Sequence, residues 1–177
     1  MQKRWENVVS RKLILHAVFA QLLICCWIFL KIVCLPYIIW KFLGASPAAA
    51  RIGDLLALLL GTFAALSMGA VGYWHAAGYP ADRSRLQIAV GAMGFIHLPL
   101  FLFVIYKWGF GSAWDTYWSA YLSGWLSIVT HPMILVGFYG KWVDLIGAVL
   151  LCVCYLTGVW MYFDELKDLK TTRMRRE

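Results

Sequence analysis

The four histidines of this sequence are the main candidates for a functional site, because each lies in or beside a long apolar segment. They are His16, His75, His97 and His131. An ionisable side chain is costly in such a segment, so a functional site is the default hypothesis there. Neutral imidazole is also a common ligand of metal ions and of haem iron.

Three of these histidines are expected to lie toward one membrane face, because consecutive spans are expected to run antiparallel. His75 closes one predicted span. His97 lies about 16 Å in from Leu86 on the next span, and His131 about 13 Å before Gly140 on the span after that. The depths of His97 and His131 then differ by only about 3 Å.

This spacing predicts a cofactor or metal site formed by His97 and His131, with His75 nearby. A b-type haem would take both imidazoles as axial ligands, whereas a chlorin would take one. A second option pairs His75 with one of the other two around copper, another metal or a chlorin. The alternative without a cofactor is that the imidazoles hydrogen-bond neighbouring helices and that His75 is an interfacial residue.

The segments that carry these histidines identify an integral membrane protein. Of the 177 residues, 62% are hydrophobic and 14% are charged, whereas a soluble domain is usually about one quarter charged. Long apolar runs predict an all-α membrane bundle of four to five transmembrane helices. Residues 1–12 are predicted to be a basic interfacial N-terminus, 13–163 the transmembrane domain and 164–177 a charged C-terminal tail.

The first apolar run, residues 13–43, is too long for a single regular crossing. As a helix it would measure about 46 Å against a hydrocarbon core of about 30 Å. Pro36 predicts a kink near Leu35, so this element is expected to be kinked or partly interfacial. Lys31 lies inside it and needs either a partner or a path to the interface.

The later spans are predicted at residues 54–73, 86–106, 114–138 and 143–163. With five crossings, the sixteen Lys and Arg residues divide seven to nine between the two faces. An irregular first element that returns to its own face would make the division thirteen to three. Charge therefore favours four crossings, and hydropathy favours five.

Aromatic residues cluster in the fourth predicted span and have two interpretations. They are Trp114, Tyr117, Trp118, Tyr121 and Trp125. Trp and Tyr are typical of interfacial belts, but the same rings are suited to line a quinone or pigment pocket.

Basic residues near both ends predict contact with anionic lipid head groups. Nucleic acid is excluded as a partner, because the sequence has no basic stripe interleaved with exposed aromatic residues. The short loops place any chemistry in the bilayer or on a partner protein. We therefore expect a small membrane subunit of a larger electron-transfer, photosynthetic or respiratory complex, which is not catalytic on its own. A structural or assembly subunit is the alternative, and a small-molecule or ion carrier is less favoured.

The pattern of about five spans with four membrane histidines resembles the membrane cytochrome b anchors of respiratory oxidoreductases. The resemblance implies haem held by histidines. Those anchors usually place two histidines at each membrane face, whereas three are predicted on one face here. This departure argues against two haems.

Overall fold

A computed structural model describes residues 2–78, 85–110, 117–140 and 142–174. Within these ranges the chain forms six α-helices and one π-helical turn: α1 (Gln2–Phe29), the π-turn (Leu30–Cys34), α2 (Leu35–Leu43), α3 (Pro47–Ala77), α4 (Arg85–Phe110), α5 (Tyr117–Leu135) and α6 (Trp142–Met174). Four helical stretches are long and apolar enough to cross a membrane: Ile14–Leu43, Pro47–Ala77, Ala89–Gly109 and Trp142–Leu169. The predicted all-α membrane bundle is confirmed.

The first element is one continuous helical rod in which the irregularity predicted near Pro36 is a π-turn. The N–H of Leu35 donates to the carbonyl of Leu30, five residues earlier. This wider turn precedes Pro36, which has no N–H of its own to donate. The rod does not turn back, and it ends at Gly44, whose φ of 64° suits glycine.

Helix α3 begins seven residues before its predicted start at Asp54. Ser46 has an extended backbone, and its side chain accepts a hydrogen bond from the N–H of Ala49 at 3.1 Å. Pro47 follows in the first turn, where a missing N–H is harmless. This is a serine cap followed by proline, and it fixes the point at which the chain re-enters a helix.

Small residues bring α3 into backbone contact with α6. A Cβ added to Gly158 would overlap the carbonyl oxygen of Gly69, and one added to Gly72 would overlap that of Tyr155. Close approach of this kind is how helices associate in lipid, where packing drives association. Gly91 of α4, in contrast, has open space around it.

Side-chain contacts fix the directions of α1, α3 and α6. His16 stacks on His75. Trp27, which follows His16 on α1, donates a hydrogen bond at 3.0 Å to Ser67, which precedes His75 on α3, so α1 and α3 are antiparallel. Gly69 of α3 contacts Gly158 of α6, and four residues further along each helix Tyr73 packs against Tyr162. Helices α3 and α6 are therefore parallel. We call the end of the bundle that holds His16 and His75 the His75 end.

The opposite end, which we call the Asp144 end, holds the start of α6 and the last turn of α4. Lys107 forms an ion pair with Asp144 at 2.5 Å, while the carbonyl of Ala89 lies 3.0 Å from the Tyr155 hydroxyl. Helices α4 and α6 are therefore antiparallel, and α4 runs toward the Asp144 end.

Helix α5 runs in the same direction as α4, contrary to the expected alternation. Tyr121 bonds Gln21, and Ser127 accepts from Lys31, so α5 is parallel to α1. Its bonding partners on α1, and not its place in the chain, determine its direction. Helix α5 is also not among the four stretches that are long and apolar enough to cross a membrane.

Candidate functional site

His75 is the centre of the candidate site and is fully buried on α3. Its Nδ1 lies 2.8 Å from the hydroxyl of Tyr155, and that hydroxyl lies 3.0 Å from the carbonyl oxygen of Ala89. Because a carbonyl only accepts, the hydroxyl donates to Ala89 and accepts from Nδ1–H. This network assigns the proton of His75 to Nδ1 and leaves Nε2 with a lone pair.

Nε2 of His75 is buried and has no hydrogen-bond partner among the described residues. A metal-ligating histidine almost always donates its other ring N–H to an orienting group. Tyr155 supplies that orienting group here. His75 therefore has the arrangement of an imidazole that is ready to ligate through Nε2.

His97 is the second imidazole at the site, and it reaches Tyr155 from α4. It is 1% exposed, and in the part of the chain that the structure describes neither ring nitrogen has a hydrogen-bond partner. Its ring centroid lies 5.9 Å from that of Tyr155, and the His75 centroid lies 5.7 Å from it. Tyr155 is thus in edge contact with both imidazoles. Among the described residues, each imidazole has at least one ring nitrogen without a hydrogen-bond partner.

His16 joins the site from α1. Its ring is stacked on His75, with centroids 4.5 Å apart and planes 14° apart, and it packs against Trp74. A Cβ at Gly78 would lie 2.9 Å from Cε1 of His16, so this glycine makes room for the ring. We call His16, His75, His97 and Tyr155 the histidine–tyrosine cluster.

His131 does not join the other histidines. It lines a cavity of about 470 Å³ with Lys31 and Asp54, near the start of α3. Gly61, which packs on the residue after His131, precedes His75 by fourteen residues on α3, or about 21 Å along the helix. The expected layer shared by His131 with His75 and His97 is therefore wrong, because α5 is parallel to α4.

A haem with His97 and His131 as its two axial ligands would need both imidazoles on one iron atom. His97 contacts Tyr155 in the histidine–tyrosine cluster, and His131 lies in the other half of the bundle. The pair of predicted ligands that the structure brings together is His75 and His97.

Lys31 has a protein partner inside the bundle. Its ammonium group donates to the carbonyl of Ser127 and, at 2.9 Å, to the hydroxyl of the same residue. The sequence did not indicate this partner, because Ser127 lies 96 residues away. Pro132 lies further along α5 and has no N–H to donate to the preceding turn.

The aromatic residues of α5 divide between the two predicted interpretations. Tyr117 and Trp118 are exposed, whereas Trp125 is 1% exposed. Together with Tyr121, these residues line a cavity of about 540 Å³ between α1, α4 and α5. Trp114 lies outside the described residues.

Within the described ranges, no group of three or more His, Cys, Asp or Glu side chains is arranged to hold a metal ion. A bare transition metal usually takes three or four protein ligands. A haem or chlorin supplies four ring nitrogens of its own and requires one or two imidazoles. In the same ranges, the histidine–tyrosine cluster supplies two imidazoles with an unsatisfied ring nitrogen, His75 and His97.

The chain was compared with protein-family models, curated proteins and solved structures, and no match was found.

Proposed function

We propose that this protein is an integral membrane subunit of an electron-transfer complex and that it holds one haem or chlorin through His75. The observation that carries the proposal is the buried lone pair on Nε2, fixed by the bond from Nδ1–H to Tyr155. A buried polar atom without a partner destabilises a protein by about 1–3 kcal/mol. An axial bond to a ring metal would satisfy this atom.

His97 is the proposed second ligand, and the ring would lie between α3 and α4. Helix α6 is in backbone contact with α3 beside the cluster, whereas α4 packs far less closely on α3. Both nitrogens of His97 are unsatisfied, so this imidazole is able to ligate through either one. The interface between α3 and α4 is the proposed position of the ring because α4 packs less closely on α3 than α6 does.

The proposed partners are other membrane subunits and anionic lipid. In the α1–α2 span only 6% of the most apolar window is buried, against 39–44% in the other three spans, which leaves that rod to contact lipid or a neighbouring subunit. At the His75 end, α1 and α6 extend beyond the cluster and carry basic residues: Lys3, Arg4, Arg11, Lys12, Lys167, Lys170 and Arg173. Such clusters attract anionic head groups.

The absorption spectrum of the complex purified from its native membranes tests the proposal. We expect a Soret or chlorin band that changes when dithionite is added. In His75→Gln the band should fall to a small fraction of its wild-type intensity, because Nε2 is the proposed axial ligand. His131→Gln is the matched control and should keep the band, since that residue lines the other cavity.

A wild-type complex without such a band would refute cofactor binding, and so would a His75→Gln band equal to that of the wild type. Circular dichroism of each variant separates loss of ligand from loss of fold. A complex without a band would favour the second candidate, a structural subunit. The observation for that candidate is the exposed α1–α2 rod, and it predicts that the complex fails to assemble without this chain.

A further inference from the structure

The cavity lined by Lys31 and His131 is separate from the histidine–tyrosine cluster. Its volume is about 470 Å³, within the range of small-molecule sites. Its walls are the second half of the α1–α2 rod, the first turns of α3 and one residue of α5. All of its described lining residues are apolar except four: Lys31, Ser46, Asp54 and His131.

Asp54 and Lys31 lie at different depths in this cavity. A Cβ added to Gly53 would lie 3.1 Å from Cδ1 of Ile39, so Asp54, the next residue on α3, lies at the level of Ile39. Lys31 precedes Ile39 by eight residues on the rod, or about 12 Å. Asp54 is therefore near the outer end of the cavity, beside the start of α3, and Lys31 is at its inner end.

His131 lies at the inner end with Lys31. A Cβ added to Gly61 would lie 2.7 Å from Cγ of Pro132, the neighbour of His131. Gly61 follows Gly53 by eight residues on α3, or about 12 Å, which is the same depth as that of Lys31. The inner end of the cavity thus holds an ammonium group and an imidazole, while the carboxylate of the lining lies a long way from them.

Lys31 brings a positive charge to the inner end without an opposite charge to balance it. Its ammonium group donates to two neutral acceptors, the carbonyl and hydroxyl oxygens of Ser127, and an ammonium has three N–H donors. Among the described residues the salt bridge is that of Lys107 with Asp144, and Lys31 forms none. Charges inside a membrane are usually paired with one another, so the inner end is suited to an anionic group.

The depth of Lys31 decides which anion is able to reach it. Lys31 precedes Gly44, where the rod ends, by thirteen residues, or about 20 Å, against about 15 Å for half of a hydrocarbon core. The phosphate of a phospholipid lies at the membrane surface and is too far away. A ligand with one anionic group on an apolar chain fits both the ammonium group and the apolar walls.

We propose that this cavity binds a fatty acid, with its carboxylate paired with Lys31 and its alkyl chain along the apolar wall of α2. The carboxylate complements the unbalanced ammonium group, and the chain complements the lining between Lys31 and Gly44. The site requires no cofactor at His75 and goes beyond the function proposed above.

Nuclear magnetic resonance of laurate, isotope-labelled at its carboxyl carbon, tests this inference with the full-length protein in nanodiscs of uncharged phospholipid. We expect a carboxyl signal that differs from that of laurate in protein-free nanodiscs and that saturates. Lys31→Met removes the charge and should weaken binding about tenfold or more. Lys31→Arg keeps the charge and should retain saturable binding.

Lys31→Met also loses the bonds to Ser127, so a second pair of variants leaves those bonds in place. Ala50→Phe adds a ring to an exposed lining residue and should weaken binding about tenfold or more, because the ring occupies space that the chain needs. Ala48→Phe is the matched control, because Ala48 is exposed in the same turn of α3 and is absent from the lining. It should bind like the wild type.

The absence of a saturable carboxyl signal would overturn the proposal, as would equal affinities of the wild type and Lys31→Met or of Ala50→Phe and Ala48→Phe. Dodecanol has the chain without the charge, and acetate has the charge without the chain. Displacement of laurate by either of them at equal concentration would also overturn it. Failure here leaves the expected band of the His75 site unchanged, so the two proposals are distinguishable.

Discussion

At the scale of single residues, Tyr155 organises the candidate site, although the sequence analysis did not select it. Its hydroxyl joins α3 to α4 by accepting from His75 and donating to Ala89. One signal was available in the sequence: Tyr155 lies in the middle of the predicted span 143–163, whereas belt tyrosines lie near span ends. His75 and His97 were selected because imidazoles are rare in apolar segments, and that argument does not extend to a phenol.

We expect Tyr155→Phe to lower the free energy of unfolding in detergent micelles by about 1–3 kcal/mol, because Nδ1–H of His75 loses its acceptor inside the bundle. Unfolding followed by circular dichroism measures the change. Tyr139→Phe removes a hydroxyl from a side chain that is 76% exposed, and its stability should match the wild type. Equal stabilities of the two variants would contradict the proposed role of Tyr155.

At the scale of helices, the sequence predicted the existence of the spans but not all of their bounds, since α3 begins at Pro47 and α6 continues to Met174, and it failed to predict the direction of α5. Apolar runs identify helices because any span must satisfy its backbone internally. The direction of α5 depends on bonds from Tyr121 to Gln21 and from Lys31 to Ser127, whose partners lie 100 and 96 residues apart. Such bonds leave no local pattern, and for this reason the prediction for His131 failed.

Packing of α3 on α6 supplies a test at this scale. In Gly158→Ala the added methyl group would overlap the backbone of Gly69, and overpacking of this kind destabilises by about 1–3 kcal/mol. We expect a lower thermal midpoint in detergent, measured by circular dichroism. Gly91→Ala adds the same methyl group in open space and should leave the midpoint unchanged or raise it slightly. The reverse order would refute the contact between α3 and α6.

At the scale of the whole molecule, the direction of α5 resolves the conflict between charge and hydropathy. Because α4 ends and α6 begins at the Asp144 end, the chain between them makes no net crossing. The four candidate spans then account for the crossings. The start of α1 and the end of α6 then both lie at the His75 end. Eight basic residues of the described helices lie toward that end: Lys3, Arg4, Arg11, Lys12, Arg85, Lys167, Lys170 and Arg173. Four lie toward the other end: Lys31, Lys41, Arg51 and Lys107.

The positive-inside rule therefore predicts that the His75 end faces the cytoplasm. Reporter fusions at the N-terminus and at the C-terminus should both report a cytoplasmic location. A reporter inserted after Gly44 should report the opposite side. Termini on opposite sides of the membrane would contradict four net crossings.

The bonds between α1 and α5 also have a consequence for the synthesis of the protein in the cell. During translation, Gln21 and Lys31 leave the ribosome about a hundred residues before Tyr121 and Ser127. The groups of α1 that bond to α5 have then already been synthesised when α5, which is not among the four candidate spans, emerges. We therefore expect α5 to take its position only after α1 has been inserted.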